Sequence, residues 1–426
     1  MPNEKDQQQS QEEGFEEKKY SFLQETIKSK PMSREQVVKQ IIRIALCGVI
    51  LGMFACLGFF ALRPWAQNWF RGDPETVTIP EDEEPAEEQE DVQAAEEETV
   101  PTLTAESYEE MLASMNERAA EAGKCVVSVE AVTDEDDWNA QMTGVGNGSS
   151  GVITADNGQE LLILADNSVC EGAAEWTVTF QDGKSCGAAL KKQDKNTGLA
   201  VFSIPRTSIS ESTWSNIKVA ALGNSNLVVQ GDAVMALGNM FGYPDGMGYG
   251  LISSTDYKEA FFDGGCDVLA TDIPVSSDGT GFLFNMEGEV IGLISGSVWD
   301  DSGNNTANAC AISDLKSVIE LMANGQSVPY IGIYGTTVTT ELKENQGMPA
   351  GIYVVDVDPD SPAMAAGIQS GDIICRVSDT DVSSIVTYRE AVLETRAGTD
   401  VRIRGQRLGA GGYVDVDFTV TVGSKE

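Results

Sequence analysis

Not one of the 426 residues is histidine. Imidazole is the side chain whose ordinary pKa lets it take a proton from a hydroxyl at neutral pH, so the usual histidine-assisted route to a serine nucleophile is closed to this chain. The same absence, with no CxxC among the eight cysteines, argues against a zinc centre. Basic residues are also scarce. The 28 Lys and Arg face 67 Asp and Glu, a net charge of −39, which argues against nucleic acid or an anionic lipid surface as a partner. The acidic run Thr133–Asp137 lacks the alternating ligands and turn glycine of a calcium loop and reads as a solvated turn. No cofactor and no metal are expected.

Long apolar runs are limited to one. Ile44 to Leu62 is 19 residues without a charge, fenced by Arg43 and Arg63, and is long enough to cross a bilayer as a helix. It begins more than forty residues into the chain and no small-x-small cleavage site follows it, so a cleaved leader is the weaker reading. Lys28, Lys30, Arg34, Lys39 and Arg43 precede the run, against Arg63 and Arg71 just after it. That bias predicts a single-pass cell-membrane protein with residues 1–43 as a cytoplasmic tail and everything beyond 62 outside. Residues 63–103 are expected to be a disordered acidic linker, because 73–100 hold 13 Asp or Glu and no Lys or Arg.

Two folded units are expected beyond the linker, over 104–322 and 327–426. Tyr108, Met111, Leu112, Met115 and Ala119 recur near the helical period, predicting a helix over 104–122 that stops at Gly123. Short β-rich runs follow between Gly, Asn and Asp turns: CVVSVEAV, GVIT, LLILA, WTVTFQ, LAVFSI, AVMALG and VIGLIS. Many short strands with frequent turns favour a barrel or sandwich, so the fold class is mainly β. Cys125, Cys170, Cys186, Cys266, Cys310 and Cys375 lie in this region. Their even number permits disulfides, buried free thiols account for them equally well, and spacing alone gives no connectivity.

The order GNGSSGVIT, DNSVCEGA, WTVTFQDGK, DKNTGLAVFSI, QGDAVMALGNMFG, GLISS and TDIPVSSDGTGFLFNMEGEVIGLIS resembles the HtrA/Deg family of serine proteases over about residues 125–322. The resemblance implies a trypsin-like double β-barrel, each barrel six-stranded, followed by a PDZ domain. It also implies where a catalytic triad would stand. Ser168, in Asn167-Ser168-Val169-Cys170, occupies the position of the base, and Gly198, before Leu199-Ala200-Val201, that of the orienting aspartate. The nucleophile loop reads Asp278-Gly279-Thr280-Gly281-Phe282 and is one residue short, so Thr280 or Gly279 takes the place of the serine. All three roles are vacant together: a degenerate triad. Lys184, Lys191 and Lys192 lie in the same half of the domain, but nothing in the sequence places a lysine beside Ser168 or Thr280 as a substitute base. Asn239-Met240-Phe241-Gly242 belongs to the family pattern and reads as architectural.

After the helical stretch 312–322, PYIGIYG, GIYVVDVDPDSPAMAAGIQSGDIICRVSDTDV and TYREAVLETR resemble the PDZ domain that follows HtrA proteases. By that resemblance Tyr330, Ile331, Gly332 and Ile333 form the loop and strand whose backbone N–H groups receive a peptide's terminal carboxylate, and Thr387 to Arg396 the facing helix. Read without it, Ile331 and Ile333 are core residues of a small β domain. Arg402, Arg404 and Arg407 read as surface charge on a strand.

The expectation is a membrane-anchored pseudoprotease that binds C-terminal or unfolded peptides in envelope protein quality control or as a scaffold. Two alternatives stand beside it: an active serine endopeptidase with a rearranged site, and a regulatory subunit of an active relative. A homo-trimer or a hetero-oligomer with such relatives is the assembly the resemblance implies.

Overall fold

The computed structural model describes residues 74–82, 104–132, 148–295 and 305–426, all within the second of two compact units, Pro74–Glu426. The apolar run 44–62 and residues 1–43, expected as a cytoplasmic tail, lie outside the described residues, among which no helix is long and apolar enough to cross a membrane.

The first helix, α1 (Ala105–Gly123), begins where the sequence predicts, with the Thr104 side chain accepting from the Ser107 N–H as its cap. It leads into a closed barrel of β1 (Val126–Ala131), β2 (Ser149–Asp156), β3 (Glu160–Asp166), β4 (Trp176–Thr179), β5 (Ser185–Asp194) and β6 (Leu199–Pro205), ordered β1-β2-β3-β6-β5-β4. A second closed barrel follows: β7 (Ala233–Gly238), β8 (Gly246–Phe261), β9 (Gly264–Pro274), β10 (Gly281–Phe284), β11 (Val290–Ile294) and β12 (Thr306–Ala311), ordered β10-β11-β12-β9-β8-β7.

The unbroken apolar run of β3 has a physical reason. Leu161, Ile163 and Ala165 point into the first barrel beside Val127, Val178 and Phe202. Leu162 and Leu164, on the opposite face, join a different core with Phe282, Phe284 and Leu237. That second core is the seam between the barrels, closed by α2 (Ile312–Ala323) through Leu315, Ile319 and Met322. Strands β7 and β10 are shared likewise: Val234, Ala236 and Leu283 fill the second barrel, whereas Met235, Phe282 and Phe284 face the seam.

Part of the acidic segment departs from its expected disorder. Val77 and Ile79 pack on the seam core, with their N–H groups donating to Asn324 Oδ1 (2.9 Å) and Glu320 Oε2 (3.0 Å). Asp82 pairs with Lys316 at 2.5 Å. Charge density misjudges this piece because its alternating apolar side chains, not its acids, meet the barrel.

The C-terminal unit is a six-stranded sheet of β13 (Ile333–Thr337), β14 (Ile352–Val357), β15 (Ile373–Val377), β16 (Thr380–Asp381), β17 (Asp400–Gly409) and β18 (Gly412–Thr421). It carries α3 (Thr340–Gln346), α4 (Pro362–Ala366) and α5 (Ile385–Leu393). Helix α5 starts two residues before the expected Thr387, because Ser384 and Thr387 form a reciprocal capping box. Arg407 is a correction to the surface-charge reading: its guanidinium grips the buried Asp372 carboxylate at 2.6 and 2.7 Å. Arg402 and Arg404 are exposed and pair with Asp417, as surface charges do.

The six described cysteines are free, yet Cys266 on β9 and Cys310 on β12 bring their sulfurs to 2.8 Å. The contact with Cys310, and then burial, push the Cys266 thiol up from its ordinary value. Incubation with oxidised glutathione, which accepts the two electrons and two protons, is expected to link Cys266 to Cys310 and leave Cys125 reduced. Non-reducing peptide mapping checks this, and a different partner for Cys266 contradicts it.

Candidate functional site

Ser168 is exposed in a short 3-10 turn, Asn167–Cys170, directly after β3. Its N–H donates to Asp166 Oδ1 at 2.8 Å, and the other oxygen of this buried carboxylate takes the Ser295 hydroxyl at 2.5 Å. Gly198 makes the β5–β6 turn at φ +73°, with open space where a side chain would start. The Asn167 N–H donates to the Gly198 carbonyl at 2.9 Å, so the turns carrying the two positions are neighbours.

Thr280 is turned inward, 8% exposed, at the seam. Its hydroxyl accepts the Ser150 N–H at 2.8 Å, and its carbonyl accepts the Ser150 hydroxyl at 2.9 Å. Its N–H donates to the Asn239 carbonyl at 3.1 Å, and that of Gly279 to the Ser276 carbonyl at 2.9 Å. An oxyanion hole needs backbone donors free and aimed at one point, and these two are already spent. Gly238 closes the arrangement: a Cβ there would lie 2.4 Å from Ser150 Oγ and 2.7 Å from Gly281 Cα. The Asn239 N–H donates to Ser150 Oγ at 2.6 Å, which accounts for the architectural part of the Asn239-Met240 motif.

No titratable side chain among the described residues is hydrogen-bonded to Thr280. The lysines weighed as substitute bases are engaged elsewhere. Lys184 bonds Ser210 and Ser212, Lys191 pairs with Glu160 at 2.7 Å, and Lys192 with Glu426 at 2.8 Å.

Three of the four residues Tyr330–Ile333 converge on a carboxylate, and it belongs to the chain itself. The N–H groups of Ile331 and Gly332 each donate to Asp263 Oδ2 at 2.7 Å, and that of Ile333 to Oδ1 at 3.0 Å. The Tyr388 hydroxyl, from α5, donates to Oδ1 at 2.7 Å. In return the Asp263 N–H donates to the Ile333 carbonyl at 2.7 Å. Gly332 has φ +92°, and a Cβ on it would lie 2.4 Å from Ser361 Cβ, so only glycine lets the loop turn its amides this way. The core reading and the carboxylate reading apply to different atoms: the Ile331 and Ile333 side chains are fully buried in the sheet core, while their amides face Asp263. Tyr330 anchors the loop by a two-way backbone bridge to Gly423.

Asp263 is the tip of the β8–β9 hairpin, at φ +59°. Burial pushes its carboxyl up, against the pull of the three amides and the Tyr388 hydroxyl. Burial and the neighbouring Asp263 hold the Tyr388 hydroxyl well above its ordinary range. Arg389 clamps the flank: it donates to the Gly265 carbonyl at 2.6 Å and to the Asp314 carbonyl, with its guanidinium 5.2 Å from the Phe261 ring. The ring of Phe262 packs edge-on against Tyr330 and Tyr334, and its carbonyl accepts from Asn196 at 2.7 Å. The sequence reading missed Asp263 and Tyr388; only the Asp-Gly-Gly turn signal after FF marks the tip.

Residues 149–293 match the trypsin-like peptidase domain and residues 329–422 the PDZ domain. The chain is similar to a probable periplasmic serine endoprotease DegP-like from Halomonas elongata, 30% identical over 64% of this chain and 56% of that protein. It is also similar to the serine protease Do-like HtrB of Bacillus subtilis, 29% identical over 61% of this chain and 59% of that one. The chain therefore spans a little over half the length of these relatives. Among solved structures it resembles a serine endoprotease from Yersinia pestis, at 26% identity and TM-score 0.50, over 77% of this chain and 100% of that one. It likewise resembles the HtrA-type protease AlgW with tripeptide, at 25% identity and TM-score 0.52, over 73% and 97%. A double barrel that matches the trypsin-like peptidase domain, followed by a unit that matches the PDZ domain, makes the chain similar to HtrA-type serine proteases.

Proposed function

We propose that the chain is a membrane-anchored HtrA-like pseudoprotease that holds peptide ends through its PDZ domain outside the cell membrane, in envelope protein quality control or as a scaffold. The relatives described as periplasmic support the location, and the apolar run 44–62 supports the anchor. The observation that carries the non-catalytic reading is the state of Thr280. Its hydroxyl and N–H are both bound within the seam, in a chain with no histidine to deprotonate anything. Losing an acting triad member costs on the order of 10⁴–10⁶ in turnover, and the losses do not add, because the group works as a unit. Peptide binding is supported by the convergence of three amides on one carboxylate.

A fluorophosphonate probe tests the first half. The purified protein is expected to remain unlabelled, as is the triple variant Ser168→His, Gly198→Asp, Thr280→Ser, since the Gly279 and Thr280 amides stay engaged. Labelling of the unaltered chain that Thr280→Ala abolishes would establish the active-endopeptidase reading instead. Co-purification with a triad-bearing relative from the native membrane would favour the regulatory-subunit reading.

A further inference from the structure

The carboxylate pocket of the PDZ domain is filled from within, and the filling group reproduces what a chain end offers. A C-terminal residue presents a carboxylate to the loop amides and its own N–H to a strand carbonyl. Asp263 presents both: its carboxylate takes the Ile331, Gly332 and Ile333 amides, and its N–H reaches the Ile333 carbonyl at 2.7 Å. The imitation differs by one methylene, since the carboxylate is on the side chain. The contact is a built one. Asp263 is 5% exposed, is held at a positive φ, receives a fourth donor from Tyr388 on the helix facing β13, and is flanked by Arg389 and Phe262. A free peptide end needs the same three amides, so the two occupants exclude each other.

We infer that the β8–β9 hairpin tip is an internal competitor for the peptide groove, with Asp263 standing in for a chain terminus, so that a carboxylate-ended peptide binds only as the tip withdraws. This rests on the proposed peptide-binding role of Tyr330–Ile333 and adds its regulation. A tethered ligand acts at an effective concentration far above that of a dilute peptide, and the apparent affinity falls by the fraction of groove left open. Because β8 and β9 are also staves of the second barrel, linkage works in both directions: whatever holds the tip weakens peptide binding, and bound peptide loosens the tip.

The test uses the full chain and its Asp263→Gly variant, glycine being at ease at φ +59°. The probe is a fluorescein-labelled pool of short peptides, randomised except for a free apolar C-terminal residue, with the same pool amidated as control. Fluorescence anisotropy is expected to show affinity for the free-acid pool rising about tenfold or more in the variant, with no gain for the amidated pool. Hydrogen exchange is expected to deprotect the amides of residues 331–333 in the variant alone. Tyr388→Phe, which removes one donor and no packing atom, is expected to give a smaller gain of the same kind, and serves should Asp263→Gly fail to fold. Equal affinity in both chains overturns the inference and leaves the peptide-binding reading intact. Amides that open without any peptide binding defeat that reading, and the inference with it. Amides that stay protected in the variant show that the tip is not what covers them, which overturns the inference alone.

Discussion

Replacing Arg407 with alanine is expected to lower the unfolding free energy of the PDZ domain by about 3–5 kcal/mol, the range for removing one partner of a buried ion pair. The Asp372 side chain is 1% exposed, whereas that of Arg407 is 35% exposed. Arg407 binds both carboxylate oxygens, at 2.6 and 2.7 Å, and also donates to the Gly367 carbonyl at 3.0 Å, where α4 ends. Among the described residues, only the Gln369 N–H, at 3.0 Å, then remains to the Asp372 carboxylate, buried just ahead of β15. The reverse change is expected to cost less: Asp372→Asn leaves a neutral amide in place and an arginine that already reaches water. Denaturant titrations of both variants decide the matter; equal losses, or a larger one for Asp372→Asn, would contradict the asymmetry.

A loss of similar size, about 3–5 kcal/mol, is expected for Phe282→Ala, through a different cause. Phe282 is fully buried in the seam and packs in one cluster with Phe284, Leu237, Leu162, Leu199 and Met322. Truncation leaves a cavity that neither barrel can close alone, because both walls are hydrogen-bonded ladders. The deletion therefore loosens the joint between barrels as well as one core. Leu283→Ala, the next residue along β10, faces only the second barrel's interior and serves as the comparison. Calorimetry of Phe282→Ala is expected to show a broadened or split transition, and that of Leu283→Ala a shifted single one. The opposite pattern would mean the seam does not couple the barrels.

Some of the strands that could be read from sequence have residues that answer to two cores at once. LLILA and AVMALG are apolar at every position because successive side chains serve the barrel interior and the seam in turn. The outer half of β8 and β9 gave no such signal. Residues such as Asp256, Tyr257 and Lys258 are exposed, and no apolar alternation is enforced there. The YIGI loop was legible as a carboxylate binder, but its occupant was not. Asp263 and Ile331 lie 68 residues apart, and no local pattern announces a partner at that separation. The same holds for Thr280, whose engagement depends on Ser150, 130 residues away. In the acidic segment, the charges were read and the Val77/Ile79 alternation between them was not.

The pairing of β8 with β9 is interrupted twice, between Ile252 and Ser254 and again between Ser254 and Tyr257. An unbroken ladder passes torque along its length, whereas a bulge absorbs it as local twist. The stretch around Ser254 thus provides an elbow. Beyond it Tyr257–Phe261 pairs with β9, whereas on its near side Gly246–Leu251 pairs with β7.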